Sequence, residues 1–325
     1  MATKHYLNLN YVCNERCVFC ASDLTNNLRG PGVTRELTIE QIRAWIAEQR
    51  PRRNDQVLLA GGEPTLHRQL LNIVREFAAQ CRNVTLFTNG VKLADASYAR
   101  DAIAAGVTGF EIALFGATPE THDAITRRGG SFEQTIAALN NLVDARQGRR
   151  VSIAVRLLVA RHCYHELPDI VRVVHRRAPG VDKFSINRLI LSDNARATDA
   201  MVAWPEASHA INVAAALVRE LGYELCFWPV PLCVFRGDNA AFVEAEVKRQ
   251  VPRRSVASNL RYLDPLVASG TTLRQTTARK SSDAARALPQ VCRNCRYSSM
   301  CGGIEEWYHE RFGAAGLGLE CGERA

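Results

Sequence analysis

The first two-thirds of the chain alternates short runs of apolar residues with longer amphipathic runs. In the longer runs the apolar positions recur at helical spacing, as at Ile42, Trp45 and Ile46, which predicts helices with one buried face. The shorter runs have the length of buried strands. Strands are predicted at residues 5–10, 57–60, 83–88, 110–115, 151–159 and 183–191. Helices are predicted at residues 38–49, 68–80, 95–105, 131–146, 165–177 and 205–221.

Six β/α units in succession predict a parallel sheet covered by helices. Because there are six units rather than eight, we expect an α/β fold with a partial (β/α)6 TIM barrel, whose chemistry gathers at the carboxyl ends of the strands. Two helices begin with a capping-box pattern, Thr38 with Gln41 and Ser131 with Gln134. We expect these side chains to cap their helices.

The alternation stops near residue 222. A strand-like run at 223–231 is followed by a basic stretch, a group of cysteines and a short aromatic segment at 307–312. We therefore expect two domains, a barrel core at 1–222 and a smaller α+β domain at 223–325.

Composition narrows the class of protein. The chain has 325 residues, of which 47% are hydrophobic and 23% charged, so it is able to bury a sizeable core. The apolar run at 211–218 is too short to span a membrane, and the N-terminus lacks a secretory pattern, so we expect a cytoplasmic protein with no membrane partner.

The net charge of +8 is not gathered in a tail, and we expect no nucleic-acid partner. Residues 248–280 are an exception, since this stretch carries eight basic residues against one acidic residue, Asp264. Two interpretations stand for it: a grip on an acidic or phosphorylated substrate, or a solvated loop.

The chain has 11 cysteines, and in a reducing cytoplasm their grouping favours metal binding over disulfides. The first group, Cys13, Cys17 and Cys20, directly follows the first predicted strand. Three closely spaced thiolates are able to hold three irons of a [4Fe–4S] cluster and leave the fourth iron open to a ligand. A structural zinc site would use four ligands at a different spacing.

The second group contains Cys233, Cys292, Cys295 and Cys301. Four thiolates suit either one fully ligated iron–sulfur cluster or a four-thiolate zinc site. Cys226 and Cys321 are spare thiols, either of which is able to replace Cys233.

The first cysteine group resembles the CxxxCxΦC motif of the radical S-adenosylmethionine (radical SAM) superfamily, with Phe19 as the aromatic residue. Further likenesses follow the next strands: Gly61-Gly62-Glu63-Pro64 resembles the family's GGE motif, and Thr88-Asn89-Gly90 ends the third strand as in many relatives. The stretch 110–142 is similar to the family's fourth unit. The resemblance implies a [4Fe–4S] cluster, S-adenosyl-L-methionine (SAM) as cosubstrate and Cys13, Cys17 and Cys20 as cluster ligands.

The resemblance also implies contacts with SAM. Glu63 is expected to accept a hydrogen bond from the amino group, and the two glycines to allow a close approach of the backbone to the ligand. Relatives hold the ribose with polar residues of the fourth strand, but Ala113 and Phe115 stand here. The full set of residues expected to contact SAM is Phe19, Gly61, Gly62, Glu63, Pro64, Thr88, Asn89, Arg156 and Leu189.

Specific roles are expected for Arg156 and Leu189. Arg156 lies inside the fifth predicted strand, where either the SAM carboxylate or a structural ion pair satisfies its charge. Leu189, at the end of the sixth strand, is expected to contact the adenine. His122, Asp123 and Tyr164 are predicted to lie in surface loops, with contact to substrate as the alternative.

The second cysteine group resembles the family's shortened SPASM (twitch) domain. This resemblance implies an auxiliary [4Fe–4S] cluster bound by Cys233, Cys292, Cys295 and Cys301. Glu305 stands where the full SPASM pattern has a further cysteine, so a second auxiliary cluster is not expected.

The implied reaction is reductive cleavage of SAM to a 5′-deoxyadenosyl radical, which takes hydrogen from a C–H bond of the substrate. An external one-electron reductase of the flavodoxin or ferredoxin type is implied as partner. Because only twelve residues precede Cys13, we expect no N-terminal leader-peptide domain, and a small-molecule substrate is favoured. The alternatives are a maturase that modifies a ribosomal precursor peptide, and an iron–sulfur binding protein without enzymatic activity.

Overall fold

The computed structural model describes most of the chain from its N-terminus to residue 254 and isolated parts beyond it. The described residues are 2–20, 36–189, 199–228, 230–254, 260–263, 276–277, 286–287, 292, 295, 297–298, 301 and 303–313. Cys321 and most of the basic segment 248–280 lie outside them.

Strands and helices alternate along the described chain. The strands are β1 Lys4–Asn8, β2 Gln56–Ala60, β3 Asn83–Thr88, β4 Gly109–Ala113, β5 Ser152–Val159, β6 Lys183–Arg188, β7 Glu224–Trp228, β8 Leu260–Leu263, β9 Thr276–Thr277, β10 Arg286–Ala287 and β11 Ile304–Glu305. The helices are α1 Ile39–Gln49, α2 Leu70–Ala78, α3 Ala96–Ala105, α4 Pro119–Thr126, α5 Ser131–Arg146, α6 Leu167–Arg177, α7 Trp204–Glu220, α8 Asp238–Arg254 and α9 Glu306–Phe312. None of the helices in the described part of the chain combines the length and the apolar character needed to cross a lipid bilayer.

Nine of these strands form one sheet in the order β7-β6-β5-β4-β3-β2-β1-β8-β9, and β10 and β11 form a separate antiparallel pair. In the nine-stranded sheet, neighbours from β7 to β8 are parallel, and only β9 runs antiparallel to its neighbour. The two ends of this order do not pair with each other among the described residues, so the barrel is open. The prediction of an α/β partial barrel is confirmed.

The sheet is wider than six strands. The run assigned to the second domain forms β7, which pairs in parallel with β6, and β8 pairs in parallel with β1 on the other side. These strands extend the sheet of the core past residue 222. The division of the chain at residue 222 otherwise stays a prediction.

The apolar faces of strands and helices form one continuous core. Leu7, Val57, Leu59 and Leu86 are fully buried in it, from three adjacent strands. Their alternation with partly exposed residues gives each strand one face toward the helices and one toward the interior of the open barrel. This packing fixes the carboxyl ends of the strands relative to one another.

One of the two predicted caps is confirmed. Thr38 and Gln41 form a reciprocal capping box, with the Gln41 backbone N–H donating to Thr38 Oγ1 and the Thr38 N–H to Gln41 Oε1. The Ser131 cap is wrong, because Gly130 occupies the N-cap position and Ser131 Oγ donates instead to Asp123 Oδ1 at 2.8 Å.

The loop predicted around His122 and Asp123 is also wrong. Both residues lie in α4, a helix that the apolar pattern did not predict, and His122 is 1% exposed. Tyr164 lies in a short 3₁₀ turn, where its hydroxyl donates to Glu206 at 3.3 Å.

Candidate active site at the carboxyl end of the sheet

Backbone hydrogen bonds continue from the end of β1 to the residue before the first cysteine. The N–H of Leu9 donates to Ala60 O at 2.8 Å, and the N–H groups of Gly62 and Glu63 donate to Asn10 O and Val12 O at 2.7 Å each. The parallel ladder between β1 and β2 therefore continues past the ends of both strands. Cys13, the next residue, is held at the carboxyl end of the sheet by the backbone of the GGE segment.

The two glycines are needed because of this pairing. A Cβ atom at Gly61 would lie 2.7 Å from Asn10 O, and one at Gly62 would lie 2.5 Å from Val12 O. The expected close approach is thus observed, but to the chain's own backbone. It lets the GGE segment lie directly against the residues that lead into the cysteine loop.

The three cysteines of the loop are close enough to influence one another electrostatically. Burial raises the pKa of the Cys13 thiol to about 12, with Glu63, Glu15 and Cys20 adding to the increase and a backbone hydrogen bond from Glu15 opposing it. Burial also raises the pKa of Cys17, and negative charge on Glu15, Cys20 and Cys13 adds to it. Thiolates clustered in this way need a cationic partner.

The number and type of these donors suit a cluster of several irons. No three potential ligands in the described part of the chain are close enough to hold a single metal ion. A [4Fe–4S] cluster binds each thiolate at a different iron, so its ligands stand further apart than those of one ion. The donor set of Cys13, Cys17 and Cys20 fits such a cluster with one iron left open.

Helix α4 holds the cysteine loop from the other side. The N–H groups of Arg16 and Val18 donate to Thr126 O at 2.9 Å and Ile125 O at 3.0 Å, in the last turn of the helix. Arg128, just past the helix, donates to Asn14 O at 3.2 Å. The loop is therefore held by backbone contacts that do not depend on its cysteine side chains.

Glu63 braces the ends of β2 and β3. Its Oε1 accepts hydrogen bonds from the Thr65 N–H and hydroxyl and from the Thr88 hydroxyl, and its Oε2 accepts from the Asn89 N–H at 2.8 Å. Burial raises the pKa of this carboxyl although these hydrogen bonds oppose the increase. Most of its acceptor capacity is used within the protein. Its contact with the SAM amino group stays a prediction.

Sequence reasoning missed Glu15, which lies between Cys13 and Cys17. Its side chain is buried, Cys17 Sγ donates to its Oε2 at 3.5 Å, and its Oε1 accepts no hydrogen bond within the described part of the chain. Burial raises its pKa to about 7, and nearby Glu63 adds to the increase. The signal in the sequence was an acidic residue between two cysteines that are expected to bind a cluster.

An aromatic cluster covers the loop from the side of β4. Phe19 is buried and meets Phe115 edge-on, with ring centroids 5.1 Å apart, and Phe115 stacks on His122 at 6.0 Å. His122 Nδ1 accepts the Phe115 N–H at 3.1 Å, and burial lowers the His122 pKa to about 4. Phe19 is thus packed within this aromatic cluster and its contact with SAM stays a prediction, whereas His122 holds the Phe115 backbone.

Arg156 lies on β5, and Leu189 directly follows the neighbouring strand β6. The Arg156 guanidinium carbon is 5.0 Å from the centre of the Phe87 ring, and its charge opposes the increase that burial causes in the pKa of Glu111. Leu189 is buried directly after β6. Pro64 starts the 3₁₀ turn capped by the Glu63 side chain. The assignment of Arg156 and Leu189 to SAM stays a prediction.

The second cysteine group is described in part. Cys233, Cys292 and Cys295 are buried and Cys301 is half-buried. Cys233 is close enough to raise the pKa of Tyr308, whose helix α9 follows Cys301, although burial is the larger cause. Cys226 lies on β7 instead, near charged Lys183 and Glu111. The choice of Cys233 as the fourth ligand of the group stays a prediction.

Comparison with known proteins agrees with this site. Residues 7–173 match the family model described as the radical SAM superfamily. The chain is 33% identical over 168 residues to mycofactocin maturase MftC of Mycobacterium ulcerans, covering 52% of this chain and 43% of that protein. It is 27% identical over 184 residues to pre-heme d1 synthase of Dinoroseobacter shibae, covering 56% and 42%. The matches thus span less than half the length of these relatives.

Among solved structures, Streptococcus suis SuiB bound to S-adenosylmethionine superposes with a TM-score of 0.58 over 94% of this chain and 73% of that one. The identity is 12%, so this likeness concerns the fold. The family match covers the end of β1, the first cysteine group, the GGE segment and β2 to β5. The chain belongs to the radical SAM superfamily and is an enzyme of that class.

Proposed function

We propose that this enzyme cleaves SAM at a [4Fe–4S] cluster bound by Cys13, Cys17 and Cys20 and uses the resulting radical to modify a precursor peptide. The observation that carries the first part is the cysteine loop, held between the GGE backbone and α4. The peptide substrate is supported by the relatives. MftC is named a maturase, and SuiB has been solved with its precursor peptide SuiA, with a TM-score of 0.53 to this chain.

The bound cluster and SAM would supply one-electron chemistry at an unactivated C–H bond. The chain's own residues position the cysteine loop and cover it. The backbone of Gly62 and Glu63 holds the loop at the carboxyl end of the sheet, and Phe19 and Phe115 exclude water from its side. An external reductase of the flavodoxin or ferredoxin type supplies the electron in this proposal.

The test of the first part is SAM cleavage by anaerobically reconstituted enzyme with dithionite. We expect 5′-deoxyadenosine from the wild type and none from Cys17→Ala. Cys81→Ala is the matched control, because Cys81 is a buried cysteine outside both groups and should leave cleavage unchanged. Equal activity of Cys17→Ala and the wild type would refute the cluster assignment.

We further propose an auxiliary [4Fe–4S] cluster on Cys233, Cys292, Cys295 and Cys301. Three of these thiols are buried, which suits a cluster enclosed by protein. Two four-iron clusters give about eight irons per chain, and the Cys295→Ala variant should fall to about four while still cleaving SAM. A wild-type content of about four irons would contradict this part of the proposal.

A small-molecule substrate is the second candidate, and the likeness to pre-heme d1 synthase, whose product is a small molecule, favours it. The two candidates differ in what stimulates turnover. A peptide substrate increases 5′-deoxyadenosine formation and emerges with an altered mass, so we would test short peptides encoded beside the gene. If none is altered while a small metabolite is converted, the second candidate replaces the first.

A further inference from the structure

Glu15 is a buried carboxylate with one oxygen that the described part of the chain leaves without a hydrogen bond. It is 5% exposed, and its Oε1 has no hydrogen-bond donor within the described part of the chain. A buried carboxylate oxygen without a donor costs free energy. The position between two cluster cysteines therefore suggests a donor that arrives with a ligand.

The surroundings of Glu15 indicate where this ligand would lie. Cys17 Sγ donates to its Oε2 at 3.5 Å, and the GGE backbone pairs with the residues that lead into the same loop. Its carboxylate therefore lies at the cysteine loop, beside the GGE segment. The Asn89 side chain and the Arg128 guanidinium both act on this carboxylate, and Arg128 also donates to Asn14 O at 3.2 Å.

Glu63 alone has little capacity left to accept hydrogen bonds from a ligand. Its Oε1 already accepts three hydrogen bonds, and its Oε2 accepts one from the Asn89 N–H. A carboxylate has about four acceptor positions, so little capacity remains for an incoming donor. Glu15 Oε1, by contrast, accepts no hydrogen bond from any residue that the structure describes.

We propose that Glu15 Oε1 accepts a hydrogen bond from the amino group of SAM and is a second acidic determinant of its aminoacyl moiety. This inference rests on the proposed function, because it assumes that SAM binds at the cysteine loop. It goes beyond the GGE segment by assigning a role to a residue inside the loop itself.

The experiment measures equilibrium binding to anaerobically reconstituted protein, without turnover. S-adenosylhomocysteine carries the aminoacyl moiety, whereas 5′-methylthioadenosine lacks it. For Glu15→Gln we expect affinity for S-adenosylhomocysteine to fall by about tenfold or more, as for loss of a charge-assisted hydrogen bond, with affinity for 5′-methylthioadenosine unchanged. Glu120→Gln, an exposed carboxylate of α4, is the matched control and should change neither.

Several results would overturn the inference. Unchanged binding of S-adenosylhomocysteine would show that Glu15 Oε1 does not contact the amino group and bonds to water instead. Weaker binding of SAM alone would place the contact at the sulfonium. An equal loss of affinity for both nucleosides, or a loss of iron, would show that Glu15 maintains the conformation of the loop and does not contact the amino group. Failure of the proposed function is distinguishable, because it appears as wild-type protein that produces no 5′-deoxyadenosine.

Discussion

Replacing Gly62 with alanine tests whether the GGE segment positions the cysteine loop. The new Cβ would lie 2.5 Å from Val12 O and 2.8 Å from Val12 C, both of them backbone atoms. Restoring ordinary contact of about 3.4 Å requires a shift of about 0.9 Å. This shift would lengthen the 2.7 Å hydrogen bond between Glu63 N–H and Val12 O to about 3.6 Å, beyond a useful length.

The magnitude follows from these two effects. Loss of one backbone hydrogen bond costs about 1 kcal/mol, and overpacking adds about 1–3 kcal/mol. We therefore expect the free energy of unfolding to fall by about 2–4 kcal/mol, which lowers the melting temperature of a chain of this size by about 3–6 °C. Cys13 directly follows Val12, so its sulfur moves by a distance large compared with the tolerance of about 0.2 Å in metal–ligand bonds.

The assay compares iron content, visible absorbance and melting temperature after anaerobic reconstitution. Gly62→Ala should fold and retain less iron at the first site than the wild type. Gly129→Ala is the matched control, because a Cβ there would meet no atom within 4 Å. If Gly62→Ala binds iron and melts as the wild type does, the glycine does not hold the loop and the reasoning is refuted.

Two further predictions concern the residues that fix this site. Asp123→Ala removes the acceptor for the N–H groups of Gly130 and Phe132, and should cost about 1–2 kcal/mol in urea unfolding at neutral pH. Although burial opposes them, these hydrogen bonds lower the pKa of Asp123, so its contribution is lost as pH falls through the folded-state pKa. The difference between wild type and variant should therefore shrink in acid, and a difference independent of pH would contradict it. Thr88→Val removes the hydroxyl that donates to Glu63 and accepts the Gly90 N–H, and should cost about 1–3 kcal/mol in the same assay; an unchanged unfolding midpoint would contradict that role.

Much of the core fold could be predicted because its signals are local. The bounds of β3 and α5 agree with prediction, since apolar runs and helical periodicity are contained in the segments themselves. The cap of α5 could not be predicted, because Asp123, eight residues before Ser131, replaces the local capping pattern. The width of the sheet was underestimated because the pairing of β8 with β1 joins residues more than 250 positions apart.

The site shows the same limit. The cysteine spacing predicted the loop, because its residues are neighbours in sequence. The purpose of Gly61 and Gly62 was assigned to a ligand, whereas their close partners are the backbone of Asn10 and Val12, about fifty residues earlier. Long-range backbone contacts leave no periodic signal in a sequence, so only the structure relates the two motifs.

The two motifs act as one unit, and this has a consequence for how metal binding and folding are related. In small zinc domains the metal supplies the folding free energy, so removing a ligand unfolds the protein. Here backbone atoms of Asn10, Val12, Arg16 and Val18 hold the loop, and none of them is a metal ligand. Removing a thiol should therefore abolish binding without unfolding the barrel, while a methyl group at Gly62 should impair binding with every thiol present. In a preorganised site the backbone fixes the geometry and the side chains only bind the metal, so both results are expected.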